Sequence, residues 1–550
     1  MFKGHPIGLF VLGLSNMGER FGYYTVVSIF TLFMGAKFGW TDEQVGNIWG
    51  FFVGAVYGLV AFGGLVADKI GYGRTVLVGI CTMMLGYALM AVPASEEWFV
   101  YIALGVIALG TGLFKGNLVV LLGKLYEPEQ YKKLQDTAFN IYYMGINVGA
   151  FFAPYAAAGA RKLFLSRAGF TYDPNLPGMA NRFLEGKLEN TAEYLRLAHA
   201  QAPGVTDLER FSHDYLAALS NGYHAGWGIA AVSVVVSLGI YLATRRFFKH
   251  ADYRGEKKVD GAAATEIPAA QFRQRVVALF LVYFVVVFFW VVFQQSGYIL
   301  TLFAKNYTQT IQGRFTAVFF DLRGVLAVIA AIIGLVLLVG RGTAKQRLLG
   351  AALVVAGGGV AALIVSGFAD ATRIDIETFQ SFNPLFVVFL TPVVIWFFSA
   401  LNRKEREPST PKKIAFGMFV GAAAYVIMVA ASRGLESPAA LEKAGGVSPV
   451  LVTPYWLIGT YFTLTVAELF LSPMGMSLVA KVAPPKIKGL MQGFWFAFTG
   501  LGNWLSGKVG GLYARLELWQ TFLVLLVACF LAAVLMLAAA KVVERAAKIA

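Results

Sequence analysis

"SNMGERFGYY", residues 15–24, sits inside a stretch that is otherwise apolar. Glu19 and Arg20 stand side by side in it, and Tyr23 and Tyr24 follow. A charge at the centre of a bilayer costs at least ~2.5 kcal/mol on insertion scales. Either this segment is no membrane span, or the pair faces something other than lipid. The rest of the chain decides. Of its 550 residues, 58% are hydrophobic and only 14% are charged, against roughly 25% charged in a soluble domain. The mean hydropathy is +0.65. Apolar runs of about 18 residues or more, enough to cross a bilayer as helix, recur from end to end. The expected class is an all-α polytopic membrane protein, since a barrel needs short alternating strands instead.

Composition excludes much else. The net charge of +15 invites a nucleic-acid reading. The basic residues, however, lie mostly in short loops between apolar runs, as the positive-inside rule expects. No nucleic-acid partner is expected. Cys81 and Cys529 both fall in apolar segments and offer neither a disulfide framework nor a metal site. The five histidines, at 5, 199, 213, 224 and 250, lie at or outside the ends of the apolar runs and form no i, i+4 pair. There is no nucleotide loop, metal-ligand spacing or nucleophile motif, so neither an enzyme nor a cofactor is expected. The N-terminal "MFKGHPIGLF" lacks a cleavage pattern and reads as the start of a retained first helix.

Fourteen spans are expected, near 7–35, 45–66, 74–94, 98–122, 135–160, 222–244, 274–303, 318–340, 347–368, 383–402, 413–432, 452–479, 489–511 and 516–543. In that count the basic loops 68–74, 245–258, 340–347, 402–413 and 481–489 all fall on one side. That side is then cytoplasmic and holds both termini. The domains expected are a first six-helix bundle over 1–246, a linker over 247–273, and a second bundle over 274–550. Residues 161–221 form a polar insert with seven Lys or Arg and seven Asp or Glu. "YDPNLPG" (172–178) marks a turn in it, and 180–200 has helical spacing. It is either a solvated decoration or a lid over a pathway.

Each intramembrane charge needs a reason. Glu19 and Arg20 could satisfy one another. Lys115, in "GTGLFKGN" (110–117), and Glu468, in "VAELFLSPMGMS" (466–477), lie in opposite halves of the chain. Opposite charges facing one cavity suit a zwitterionic solute. "GGLVADKIGYGR" (63–74) places small residues for close helix approach, and Asp68 where it can meet a helix N-terminus.

This last stretch looks like the loop motif between spans two and three of the major facilitator superfamily. Further motifs are more specific. "GERFGYY" (18–24) resembles the E-x-x-E-R-F-x-Y-Y motif of the proton-dependent oligopeptide transporter family, and "GLFKGN" (112–117) resembles its fourth-helix G-L-F-K-P-N. "FNIYYMGINVGAFFAP" (139–154) resembles its fifth-helix signature. "FQSFNPLFVVFLTP" (379–392), "PSTPKKIAFG" (408–417), "ELFLSPMGMSLVAKVAP" (468–484) and "GLMQGFWFAFTGLGNWLSG" (489–507) look like its second-half motifs. The resemblance implies a major facilitator fold, two six-helix bundles around a central site with alternating access. It also implies proton symport of di- and tripeptides across the plasma membrane, by a chain expected to be monomeric. Carried over by position, it implies Lys115 and Arg20 for a peptide carboxylate and Glu468 for its amino terminus. Glu19, Arg20 and Glu468 would handle the proton. Tyr23, Tyr24, Tyr57, Asn147 and Trp290 would line the cavity, with Gln294 and Trp495 as further candidates.

Four departures qualify that reading. Asn16 stands at the motif's first Glu, Val27 where the family often has Arg, and Gln294 at a seventh-helix Glu. Asn and Gln hydrogen-bond but do not titrate. The fourth is the helix pair over about 318–368, which lies between family helices seven and eight, whereas bacterial members carry an extra pair between six and seven. Three readings stay open: a proton-coupled peptide importer; a weakly coupled or uncoupled relative, or one carrying another small zwitterionic or anionic solute; and a receptor that binds without transporting.

Overall fold

The apolar runs form fourteen long helices in the computed structural model, which describes residues 4–549 except 94, 95, 133, 189, 190, 253–267, 341, 444–447, 485 and 486. They are α1 (Ile7–Phe38), α2 (Asp42–Ile70), α3 (Tyr72–Ala91), α4 (Glu97–Lys124), α5 (Gln135–Arg167), α6 (Leu208–Ala243), α7 (Ala269–Phe293), α8 (Leu322–Val339), α9 (Ala344–Gly367), α10 (Phe382–Arg403), α11 (Thr410–Ala431), α12 (Tyr455–Val482), α13 (Lys488–Tyr513) and α14 (Leu518–Ile549). Twelve of the fourteen are long and apolar enough to cross a membrane. The other two, α5 and α13, match the expected spans in length but carry the polar and small residues of "FNIYYMGIN" and "TGLGNWLSG". Such composition fits helices that face a cavity rather than lipid.

The ends of the helices follow local chemistry. Thr41 and Gln44 form a reciprocal capping box at the start of α2, which satisfies two otherwise orphaned donors. The carboxylate at the N-terminus of α3 comes from Asp252, whose Oδ1 accepts the Gly73 N–H at 2.8 Å. Asp68, expected in that role, instead accepts from the Tyr72 hydroxyl at 3.3 Å. The difference arises because the chain leaving α6 folds back beside α3, where Tyr241 also donates to the Gly73 carbonyl. Of the expected linker, 253–267 lies outside the described residues, and α7 begins at Ala269 rather than at 274.

Packing repeats itself. In the first group α1 lies against α5 and α6, α4 against α2 and α3, and α3 against α6. In the second group α7 lies against α13 and α14, α12 against α10 and α11, and α11 against α14. The same set of neighbours therefore recurs six helices on, once α8 and α9 are set aside. Two joints connect the groups, α2 with α13 and α5 with α10. Helices α8 and α9 pack chiefly on each other, with Gly334 and Gly350 backbone to backbone, and their outer faces are exposed. A two-residue antiparallel ribbon, β1 (Ile311–Gln312) with β2 (Thr372–Arg373), closes this hairpin at its base.

The polar insert is folded. α5 and α6 run into it, and helices Leu176–Leu184 and Thr191–Gln201 lie between them. The single helix expected over 180–200 is thus two, broken where Gly186 takes φ 68°. This cap packs through Phe170, Tyr194, Phe211 and Tyr215, and Asn181 donates to the Ala36 carbonyl at the end of α1 at 3.0 Å. The end of the molecule that carries it is called the cap end below, and the other the terminal end.

Candidate functional site

The two groups meet closely at the cap end. A Cβ at Gly50 would collide with the Trp504 carbonyl, and one at Gly507 with the Gly46 carbonyl. Only glycine lets α2 and α13 approach this far. Around that seam Thr31 Oγ1 donates to the Gly297 carbonyl at 2.9 Å, Lys508 Nζ to Asn47 Oδ1 at 2.8 Å, and Ser381 Oγ to the Phe151 carbonyl at 3.0 Å. The α5–α10 joint holds a buried ionic cluster. Arg161 Nε and Nη2 donate to the two oxygens of Glu377 at 2.7 and 2.9 Å, and Nη2 also reaches Asp375 at 3.0 Å. Arg161 and Glu377 have no exposed surface. Tyr172 of the cap covers the guanidinium, its ring centroid 3.6 Å from the Arg161 Cζ. Burial pushes the Tyr172 hydroxyl up against the pull of Arg161, so the ring stays uncharged.

Toward the middle of the bundles lie most of the residues singled out in the sequence. Glu19 is fully buried and Arg20 nearly so. The Arg20 guanidinium donates to both Glu19 oxygens, from Nε and Nη2. Consecutive residues on a helix rarely face one another, so this pair takes up the long reach of arginine along α1. The Arg20 Cζ also lies 4.9 Å from the Tyr23 ring centroid. Lys115 on α4 is different. Its Nζ rests 3.5 Å from the centroid of Tyr57 on α2. No carboxylate lies within ion-pair distance of it among the described residues. Tyr57 in turn faces Trp290 of α7 across the gap between groups, with 6.2 Å between ring centroids.

Glu468 on α12 is held from both groups. Its Oε1 accepts from the Tyr143 hydroxyl of α5 at 3.0 Å. Its Oε2 accepts from Asn383 Nδ2 of α10 at 3.0 Å, and Asn383 is itself fixed on Thr465 at 2.9 Å. Asn147, one turn beyond Tyr143, is buried and turns its amide back to the Tyr143 carbonyl at 2.9 Å. Tyr24 lies within electrostatic reach of Tyr57, Glu468 and Arg20, and Lys115 within reach of Arg20 and Glu19. Side chains of α1, α2, α4, α5, α7 and α12 therefore come together in one central cluster. Lys115 and Glu468, far apart in sequence, supply its unmatched cation and its hydrogen-bonded carboxylate.

Among the described residues, the other four singled-out residues show neither a hydrogen bond nor a ring contact to these charged groups. Asn16 is buried with its Nδ2 unpartnered, and Val27 is buried. Gln294 sits half-buried where α7 gives way to one turn of 3₁₀ helix, before the chain resumes as helix over Ile299–Tyr307. Trp495 lies edge-on to Tyr283 and against Gly475, two turns along α12 from Glu468. Two residues were missed as ligands of Glu468. Tyr143 and Asn383 both stand inside quoted motifs, and their polar atoms at apolar span positions were the available signal. The cap-end ions Arg161, Asp375 and Glu377 were also missed, since each sits at a span boundary where charge attracts no notice.

Comparison with known proteins adds family. A model of the POT family matches residues 73–272 and 365–541, which leaves out α1, α2, all but the first turn of α7 and nearly all of the α8–α9 hairpin. The peptide transporter YePEPT of Yersinia enterocolitica is 28% identical over 536 residues, 93% of this chain and 88% of that protein. Dipeptide and tripeptide permease B of Xenorhabdus bovienii is 24% identical over 527 residues, 92% of this chain and 87% of that protein. Among solved structures, the peptide transporter POT, in a mutant form with bound sulfate, superposes with a TM-score of 0.67 at 22% identity, over 99% of this chain and 96% of that one.

Proposed function

The chain belongs to the POT family, and from that premise we propose that it imports di- and tripeptides by proton symport with alternating access. The observation that carries the proposal is the split charge of the central cluster. Among the described residues, Lys115 in the first bundle has no acidic partner, and Glu468 in the second is held by neutral donors, Tyr143 and Asn383. A peptide is a zwitterion. Its carboxylate matches Lys115, its ammonium matches Glu468, and the peptide then bridges the two bundles. Binding energy spent across that gap is what a rocking mechanism needs, since a ligand moves a conformational equilibrium only by holding one state more tightly.

Glu19 is the proton site in this reading. While ionised it occupies the Nε–Nη2 edge of Arg20. Once protonated it gives up that edge, and the guanidinium is free for the peptide carboxylate. In this reading the end sealed in the described state, the cap end, faces outward from the plasma membrane and both termini lie in the cytoplasm, an orientation that the basic loops support. Asn16 and Gln294 leave fewer titratable groups than the family motif carries, so the coupling rests on Glu19 and Glu468.

The test is uptake of labelled dialanine into liposomes holding the purified protein, with and without an inward proton gradient. Accumulation in the gradient is expected, together with loss of that accumulation but retention of exchange in Glu19→Gln. Equilibration without accumulation would overturn the symport reading in favour of a uniporter, and Gln294→Glu would then be the first change to make. Absence of any uptake would overturn the peptide substrate.

A further inference from the structure

The two additions to the twelve-helix plan, the cap and the α8–α9 hairpin, touch at one place. Asp173 of the cap pairs through Oδ2 with Arg373 Nη1 at 3.2 Å. Arg373 belongs to β2, at the base of the hairpin. The chain runs straight from β2 into Asp375 and Glu377, the partners of Arg161. Tyr172, next to Asp173, is the ring that covers Arg161. Of two adjacent cap residues, Asp173 therefore grips the second bundle at the hairpin base, and Tyr172 covers Arg161, the first-bundle partner in the ion cluster that joins the two bundles.

The grip is mounted on the first bundle. Asp173 Oδ1 accepts from the Asn175 N–H at 3.0 Å, and the Asp173 N–H donates to the Tyr215 hydroxyl of α6 at 3.1 Å. Asn181 ties the cap to α1. The cap thus moves with the first bundle, as does Arg161 of α5, while Arg373, Asp375 and Glu377 belong to the second. Tyr172 also shields Arg161 from water, and an ion pair sealed from solvent is screened far less than an exposed one.

We infer that the cap is a strap across the sealed end, with the hairpin base as its anchorage, and that it sets how often the pathway opens on that side. Opening requires Arg161 to leave Glu377 and Asp375, under the cover of Tyr172, and Asp173 to leave Arg373, so weakening either contact raises the frequency of opening. The inference rests on the alternating-access reading above, but its test reads opening and not uptake.

The test places one cysteine at Thr31, which is buried at the seam against Gly297, in a background with Cys81→Ser; Cys529 is already buried. The rate of labelling by a bulky maleimide is measured on the detergent-solubilised full chain. Arg373→Gln, which leaves the cap's own hydrogen bonds intact, is expected to raise the rate about twofold to fivefold, the worth of a partly exposed ion pair. Tyr172→Leu, which uncovers the Arg161–Glu377 pair to water, is expected to raise it on the order of tenfold, as that pair becomes screened. The exchanged pair Asp173→Arg with Arg373→Asp is expected to slow labelling again. Unchanged rates for Arg373→Gln and Tyr172→Leu, in proteins that elute and melt like the parent, would overturn the strap. So would a rise that the exchanged pair fails to reverse. Changed labelling without dialanine uptake would instead count against the transport reading alone.

Discussion

At the scale of single residues, the contrast between Arg20 and Lys115 matters most. Both are cations in the central cluster, yet Arg20 is occupied by Glu19 and Lys115, among the described residues, by the face of Tyr57. On the proposed reading Lys115 is therefore the first group to meet a substrate carboxylate. Lys115→Met, close in volume and without charge, should raise the KM for dialanine about tenfold to a hundredfold, the worth of a charge-assisted hydrogen bond, while the melting temperature holds. Uptake measured across a range of dialanine concentrations checks this. The sequence already marks Lys115, Glu19, Arg20 and Glu468, because an ionised group in an apolar run is conspicuous. It does not mark Tyr143 as the donor to Glu468, because a tyrosine in such a run is unremarkable until a carboxylate from the other half of the chain is placed beside it. Long-range pairs of this kind arise from tertiary packing and leave no local pattern.

At the scale of elements, the α8–α9 hairpin stands apart from the repeated packing plan. Its helices bury their glycine seam against each other, and its base is closed by the β1–β2 ribbon, with Ile311 opposite Arg373. A closed base means that the segment between the strands can be removed without pulling the strands apart. Replacing residues 314–370 by a short glycine-containing turn should leave a folded protein with dialanine uptake within about twofold of the parent; size-exclusion behaviour and liposome uptake check it. The hairpin's two helices are legible in the sequence from their apolar length alone. The ribbon is not, since two residues per strand carry no alternation to read. The cap shows a related limit. Helical spacing is visible over 180–200, but the break at Gly186 depends on how the cap folds back onto α6.

At the scale of the whole molecule, the two bundles are held by two joints, and six helices separate the members of one joint from their counterparts in the other. In the proposed alternating-access cycle the bundles rock about both joints, so fixing one should stop transport. Cysteines at Asn47 and Lys508, whose side chains meet at 2.8 Å, should take a short bismaleimide. Cross-linked protein is expected to lose turnover while still binding dialanine, as calorimetry on the treated sample would show. The fourteen-helix count and the division into halves are readable from loop charge and span length. Which end is sealed is not, because both end states use one sequence. The joints also differ in how they can change over generations. Where α2 meets α13, a hydrogen atom is the only side chain that fits at positions 50 and 507, so drift there has nowhere to go. Where α5 meets α10, Arg161 and Glu377 can be exchanged for other complementary pairs. Descendants of this chain are free to re-key the second joint and not the first.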